Sequence, residues 1–403
     1  MKSILIIIRT EADFERVVAI AIASKNKYKQ HFVFVGDFSP FYFDGIQNKF
    51  QKELFARNGF IVIDFSEFDL IGKILRKLSK MRQISFVQVR ENKKQFLTFL
   101  FLFLFKKYIH KNKKKIINKI FKKTNPSFLL TDQSMTDNNY LPQQIRIEAK
   151  KRNIPVFLFT HGASGGLHSA FTIPYFEPYK DCIVFVCNKS ETGSEIKNRI
   201  ILGDISSSFP YVHFLNSQNF ANINFLNDRK YKIGFMVGGT AAFTSTSGWS
   251  VQEEIIIELS ENKDVAMVLK VHPRDSNLDY LKMVRQFDNL LIVNNETDRS
   301  RVTKWADIIV CNDHCSTIFE PMILEKKVVA IAGKHLPKFK NNNSPLINSS
   351  ALFISTSKEF DLDAIPNSNP IDNVTNLVCW GGNGNIDLSE LCLKKITDII
   401  SEK

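Results

Sequence analysis

The sequence predicts an α/β protein of two Rossmann-like, doubly wound parallel-sheet domains with a cleft between them, and three observations predict it. The chain has 403 residues, which is long for one hydrophobic core and natural for two. Short apolar runs alternate with stretches of helical periodicity, as in strand–helix–strand units. This alternation occurs twice, on either side of a polar, asparagine-rich segment at residues 213–230.

The first alternation predicts an N-terminal domain over residues 1–212. Its predicted strands are Ile4–Ile8, Phe32–Val35, Phe60–Asp64, Phe128–Thr131, Val156–Thr160, Val184–Cys187 and Ile200–Leu202. Its predicted helices, which have apolar residues three or four positions apart, are Glu11–Ala23, Gln47–Asn58, Leu141–Arg152 and Glu191–Asn198.

The second alternation predicts a C-terminal domain over residues 231–403, with residues 213–230 as the linker. Its predicted strands are Lys232–Val237, Val265–Val271, Leu290–Val293, Asp307–Cys311 and Val328–Ile331. Its predicted helices are Ser250–Glu261, Ser316–Leu324 and Ser389–Ser401.

The positive charge of the chain is concentrated in one segment. The formal net charge is +13, and residues 93–123 contain eleven lysines and no acidic residue, so the remainder carries only about +2. The six cysteines form no C-x-x-C pair, which favours a reducing compartment and a cytoplasmic protein.

The basic segment begins with an apolar run, Phe96–Phe105, that predicts a peripheral contact with an anionic membrane surface. Ten residues are too few for a spanning helix, which needs about 20. In this interpretation aromatic rings enter the interface and lysines meet headgroups. The contact residues would be Phe96, Phe99, Phe101, Phe103, Lys106 and Lys107. The alternatives are a core helix with a solvated lysine tail, and a nucleic-acid surface. A nucleic-acid surface is disfavoured because the aromatic residues form one block and residues 93–123 contain no arginine.

Two candidates for acceptor chemistry follow strands of the first domain, where open parallel sheets bind ligands. His161 opens the glycine-rich stretch His161–Gly166 directly after the strand Val156–Thr160. A histidine there suits general-base catalysis, and the alternative is a structural histidine bonded to a loop carbonyl. Asp132 follows Phe128–Thr131 and could orient or deprotonate an acceptor hydroxyl.

Candidates for donor binding follow strands of the second domain. His272 and Arg274 come after Val265–Val271, and both side chains can meet phosphate oxygens. Ordinary loop residues are the alternative. The glycine pair Gly238-Gly239 and Thr240 follow Lys232–Val237 and offer further N–H donors. No lysine occupies the phosphate-loop position, which excludes a P-loop NTPase.

A third donor candidate is the stretch after Asp307–Cys311. Ser316 and Thr317 stand where a helix is predicted to begin, so free N–H groups and hydroxyls would bind phosphate there. Glu320 would bind a ribose or glycol hydroxyl pair. Alternatively, Ser316 and Glu320 form a capping box, which is compatible with phosphate binding. The histidines and cysteines have no metal-ligand spacing, so we expect neither a metal nor a cofactor.

These motifs together resemble the glycosyltransferase-B (GT-B) superfamily, and within it the teichoic-acid glycerophosphotransferases, capsule Kdo transferases and bacterial sialyltransferases. The resemblance covers nearly the whole chain as architecture but only short stretches as motif. It implies that the N-terminal domain is the acceptor side and that the C-terminal domain binds the nucleotide donor. It implies that His161 is the general base and that His272 contacts the donor phosphate. It further implies that Ser316 and Thr317 bind phosphate oxygens and that Glu320 contacts the donor.

The layout also resembles the non-hydrolysing UDP-N-acetylglucosamine 2-epimerases, through Arg9-Thr10 at the first strand end and the polar loop Asp132–Asp137. The chain departs from that family at Thr160-His161-Gly162, where the family has an acidic loop. It departs again at Cys315-Ser316-Thr317, where the family has a glycine pair and two adjacent acids. The sequence therefore favours a metal-independent transferase.

We expect this transferase to use a nucleotide-activated sugar or polyol, and a saccharide or lipid-linked acceptor, at the inner face of the cell membrane. A non-catalytic membrane or polyanion binder is a further alternative, but it would leave the two histidine loops unexplained.

Overall fold

The fold consists of two parallel β-sheets with helices packed on their faces, seen in a computed structural model of the chain. The structure describes residues 2–8, 11–34, 49–63, 96–132, 141–159, 182–186, 199–203, 205, 209–217, 223–237, 248–271, 287–293, 299–312, 318–332, 351–367 and 387–402.

The first sheet has seven parallel strands in the order β3-β2-β1-β4-β5-β6-β7. Its strands are β1 (Lys2–Ile8), β2 (Tyr28–Phe34), β3 (Ile61–Ile63), β4 (Phe128–Asp132), β5 (Val156–Phe159), β6 (Ile183–Val186) and β7 (Arg199–Ile201). In β1 every residue from Ile4 to Ile8 is buried, on both faces of the strand. The unbroken aliphatic run thus matches a central strand that is covered on both sides.

The second sheet has six parallel strands in the order β10-β9-β8-β11-β12-β13. Its strands are β8 (Tyr231–Met236), β9 (Val265–Lys270), β10 (Leu290–Val293), β11 (Ile308–Asn312), β12 (Lys327–Ile331) and β13 (Leu352–Ile354). When its strands are renumbered from one, this order is 3-2-1-4-5-6, which is the order of the first six strands of the first sheet. It is also the strand order of the dinucleotide-binding fold. The predicted fold class is confirmed.

Nine α-helices lie in the described part of the chain. They are α1 (Glu11–Ser24), α2 (Lys49–Asn58), α3 (Phe96–Thr124), α4 (Leu141–Lys151), α5 (Phe209–Ser217), α6 (Gly248–Glu261), α7 (Arg299–Trp305), α8 (Phe319–Ile323) and α9 (Leu388–Ser401). The sequence patterns did not predict α5, α7 or β13, which are short and lack a clear apolar period. The predicted helix Glu191–Asn198 lies outside the described residues.

Helix α3 joins the apolar run and the lysine-rich stretch in one helix of 29 residues. The lysine-rich half contributes to the core, because Ile116, Ile117, Ile120 and Phe121 are buried against the first sheet. The lysine-rich half therefore packs on the first sheet along one side, while the role of the apolar run stays a prediction. No helix within the described residues is long and apolar enough to cross a bilayer.

Helix α9 returns from the end of the chain to pack against α1, on the first sheet. Its residues Leu393 and Ile396 are buried in a cluster that also contains Ile6 of β1 and Val268 of β9. One continuous apolar cluster therefore includes side chains of both sheets. The division of domains at residues 212 and 231 stays a prediction. Helix α5 includes residue 212 and packs on α7 and α8, the helices before and after strand β11 of the second sheet.

A buried histidine lies in β2, on the sheet face covered by α3. The ring of His31 is 5% exposed, and its Nδ1 atom has no hydrogen-bond partner. Burial, and the nearby charges of Lys29 and then Lys123, lower the pKa of His31 to about 4. The folded protein therefore keeps this ring neutral at pH values where an unfolded chain protonates it.

We predict that His31 makes folding stability depend on pH between about 4 and 6.5. The unfolded chain binds a proton there that the folded chain does not, so stability is complete above about pH 6.5 and is lost as pH falls. The loss from pH 7 to pH 5 is on the order of 2 kcal/mol. Urea unfolding at the two pH values should reveal it, and the pH effect should shrink in His31→Leu.

The matched control is His110→Gln, because His110 is exposed on α3. This control should leave the difference between pH 7 and pH 5 unchanged. An undiminished pH dependence in His31→Leu would contradict the assignment.

Candidate functional site

Each sheet has one place where the strand order reverses, and there the loops that follow two neighbouring strands diverge. In the first sheet it lies between β1 and β4, which pair from Ile4–Phe128 to Ile6–Leu130. In the second sheet it lies between β8 and β11, which pair from Ile308–Ile233 to Val310–Phe235. Such switch points, at the carboxyl ends of the strands, are where open α/β sheets bind ligands.

The predicted acceptor residues end or follow two neighbouring strands of the first sheet. Asp132 is the last residue of β4, one of the two switch-point strands, although its side chain lies outside what the structure describes. His161 comes two residues after the end of β5, which pairs with β4. His161 itself lies outside the described residues. The backbone topology therefore brings the starts of these two segments to adjacent strand ends.

Most of the predicted donor residues follow the carboxyl ends of three neighbouring strands of the second sheet, β9, β8 and β11. The donor residues that lie outside the described part of the chain are Gly238, Gly239, Thr240, His272, Arg274, Ser316 and Thr317. Their contacts stay predictions.

Glu320 is the predicted donor residue whose side chain the structure describes. It is the second residue of α8, it is 4% exposed, and its Oε2 lies 3.1 Å from Nε of Arg299. The N-cap position of α8 is Ile318, with no side-chain hydrogen bond to the helix end. Ser316 lies outside the described residues, so the capping box of Ser316 and Glu320 stays a prediction.

The partner of Glu320 is positioned by the way α7 lies on the second sheet. A Cβ atom at Gly234 of β8 would come within 2.8 Å of Val302 and 2.6 Å of Ile309. A larger residue at this position would require the side chains of Val302 and Ile309 to shift, so glycine suits the close approach of α7 to β8. This contact places Arg299, the first residue of α7, on the same side as the start of α8.

Two hydrogen bonds fix the other end of α7. Trp305 Nε1 donates to Oδ1 of Asn227 at 3.0 Å, and Lys304 Nζ donates to the carbonyl oxygen of Asn216 at 3.3 Å. Both acceptors belong to the segment between the two sheets. Helix α7 therefore connects this segment to the carboxyl edge that carries Glu320.

Sequence reasoning missed Arg299. Residues 299–305, RSRVTKW, form a seven-residue helix with only two apolar side chains, so no period identifies it. An arginine at the start of such a segment gives no signal that it pairs with a glutamate 21 positions later. Within the described residues, no cluster of three or more histidine, cysteine or acidic side chains is arranged to hold a metal ion.

Comparison with known proteins supports the fold. No protein-family model matches the chain, and no curated protein matches it in sequence. The structure of UDP-GlcNAc 2-epimerase from Methanocaldococcus jannaschii is similar over 99% of this chain and 100% of its own, with 14% identity and a TM-score of 0.56. The co-structure of S. aureus MnaA with UDP is similar over 100% and 97%, with 11% identity and a TM-score of 0.56.

A glycosyltransferase has the same architecture. The UDP-glucosyltransferase from Polygonum tinctorium that glucosylates indoxyl is similar over 100% of this chain and 99% of its own, with 12% identity and a TM-score of 0.50. At these identities the likeness establishes the fold. The two-domain, GT-B type arrangement predicted from the sequence is confirmed along the whole chain.

Proposed function

We propose that this protein is a transferase that moves a glycosyl or polyol-phosphate unit from a nucleotide-activated donor to a surface polysaccharide or a lipid-linked acceptor. One observation carries the proposal. The candidate residues follow strand ends at or next to the switch points of two sheets with the same strand order. One such edge suits an acceptor and the other a nucleotide donor.

The second sheet supplies the proposed donor site. Its switch-point strands β8 and β11 lead into the segments that contain the glycine pair and Ser316-Thr317, while His272 and Arg274 follow β9. Backbone N–H groups, a histidine and an arginine are donors suited to phosphate oxygens. During transfer they would stabilise the negative charge that develops on the leaving phosphate.

The first sheet supplies the proposed base. His161 accepts the proton of the acceptor hydroxyl as its oxygen forms a bond to the transferred unit. The bond between that unit and the departing nucleotide breaks in the same displacement. Asp132, at the end of the neighbouring strand β4, orients the hydroxyl or the imidazole.

The helix α3 supplies the proposed membrane contact, which suits a lipid-linked acceptor and a peripheral location at the inner membrane face. Its buried residues Ile116 and Ile120 anchor one side of the helix in the first domain. The opposite side presents exposed lysines, namely Lys107, Lys111, Lys114, Lys115, Lys122 and Lys123. Lysines on the outward face of an anchored helix are placed to meet anionic headgroups. The structure does not describe the side chains of Phe96, Phe99, Phe101, Phe103 and Lys106.

A 2-epimerase is the second candidate, because epimerase structures share the fold along the whole chain. The departures at Thr160-His161-Gly162 and Cys315-Ser316-Thr317 favour the transferase instead. The two reactions differ in one requirement, since an epimerase converts its sugar nucleotide without any acceptor.

We predict that His161→Ala lowers kcat for transfer by about 100-fold or more, with the Kd for nucleotide within twofold of wild type. The base acts on the acceptor, so donor binding should survive. The assay follows nucleotide release from a panel of nucleotide-activated sugars and polyols, with and without a lipid-linked acceptor. Conversion of a sugar nucleotide into its epimer, with no acceptor and no net release of nucleotide, would support the epimerase.

The control for this experiment is His213→Ala, because His213 is exposed on α5. It should retain full turnover. Wild-type activity in His161→Ala would rule out this histidine as the base.

We predict that the protein binds anionic vesicles and that Lys107→Glu/Lys111→Glu/Lys114→Glu weakens the binding by at least about 100-fold, at about 1 kcal/mol per lysine. Sedimentation with phosphatidylglycerol vesicles at low salt measures it. Phosphatidylcholine vesicles should not bind.

The matched control is Lys25→Glu/Lys27→Glu/Lys263→Glu, which changes the net charge equally at three exposed lysines away from α3. Equal losses in the two triple variants would attribute the binding to net charge. Absence of wild-type binding at low salt would exclude the membrane contact.

A further inference from the structure

The ion pair of Arg299 and Glu320 joins the starts of two helices at the carboxyl edge of the second sheet. Nε of Arg299 lies 3.1 Å from Oε2 of Glu320, and the two side chains are 18% and 6% exposed. Helix α7 leads into β11 and helix α8 follows it, so the two residues flank a switch-point strand in the sequence. Each residue comes from a different helix.

A buried ion pair contributes little net stability to the contact between two helices. A carboxylate that leaves water loses hydration, and the attraction of one partner only offsets that loss, so buried pairs are often no more stabilising than apolar side chains. Apolar contacts already join α7 and α8 to the sheet, through the buried Val302, Phe319 and Met322. The pair therefore calls for a reason other than stability.

Orientation of the carboxylate is that reason. Arginine stays charged and presents its N–H donors in a rigid plane, so it fixes both the ionised state and the direction of the glutamate. An ionised carboxylate accepts hydrogen bonds and repels phosphate. The part of a nucleotide that suits it is the sugar, whose hydroxyls are donors.

We propose that Arg299 is a positioning residue, which holds the Glu320 carboxylate in place to accept hydrogen bonds from the ribose hydroxyls of the donor. The inference rests on the proposed nucleotide-donor function. It adds a selectivity: the protein prefers ribonucleotides to 2′-deoxyribonucleotides, and that preference depends on a residue that does not itself touch the ribose.

The test measures Kd by calorimetry for UDP and CDP and for their 2′-deoxy counterparts. A hydrogen bond from a hydroxyl to a charged acceptor predicts a ribonucleotide preference of about 10-fold or more in wild type. In Arg299→Met this preference should fall to within about twofold. The variant should weaken the binding of the ribonucleotides more than the binding of their 2′-deoxy counterparts. Arg299→Lys keeps the charge without the planar fork and should restore part of the preference.

The control is Lys263→Met, a loss of one positive charge at an exposed position just before β9, which should keep the full preference. If Arg299→Met does not fold, as judged by its melting curve, Arg299→Lys alone decides. In that case a lysine variant with the wild-type preference overturns the inference, and a reduced preference supports it.

The failures can be told apart. If no nucleotide binds wild type, the proposed function fails. If UDP or CDP binds but wild type shows no ribose preference, the role of Glu320 fails and the inference with it. If the preference persists in Arg299→Met, Arg299 is only a brace between α7 and α8, and the inference is overturned although the proposed function stands.

Discussion

Parallel strand pairing is the constraint on which the rest of this structure depends. Every described strand pair in both sheets is parallel, from β1–β2 to β12–β13. Each strand must therefore be followed by a return across a face of the sheet, and all the carboxyl ends lie along one edge. Segments separated by dozens of residues are thereby collected at that edge. The candidate sites depend on these strand ends lying side by side, and not on any single motif.

Close packing beneath that edge gives the described part of the proposed donor site its geometry. Gly234 allows α7 to lie against β8 and β11, and α7 brings Arg299 to Glu320. The helix α9 adds a second long-range contact by packing on α1 at the other end of the sequence. Buried side chains from both sheets then belong to one cluster, so the two halves of the fold are not independent bodies.

Sequence patterns predicted the elements whose own residues determine them. The run at β1 has to be a buried strand because no polar residue interrupts Ile4–Ile8, and α6 has apolar residues at helical spacing. The strand-end positions of the candidate residues followed from those elements. Pairings made by tertiary contact were not predictable: seven-residue α7 has no period, and nothing local links Arg299 to Glu320. In α3 the lysines obscured the spacing of Ile116, Ile120 and Phe121, which face the core.

Nucleotide binding is the central claim, and thermal stabilisation tests it most directly. The melting temperature would be measured with CMP, CDP, UMP, UDP, GDP and ADP, on wild type and on His272→Ala. A ligand that binds only the folded protein raises the melting temperature, so at least one pyrimidine nucleotide should do so in wild type and do so less in the variant. No shift with any nucleotide, in a protein that melts cooperatively, would contradict the account.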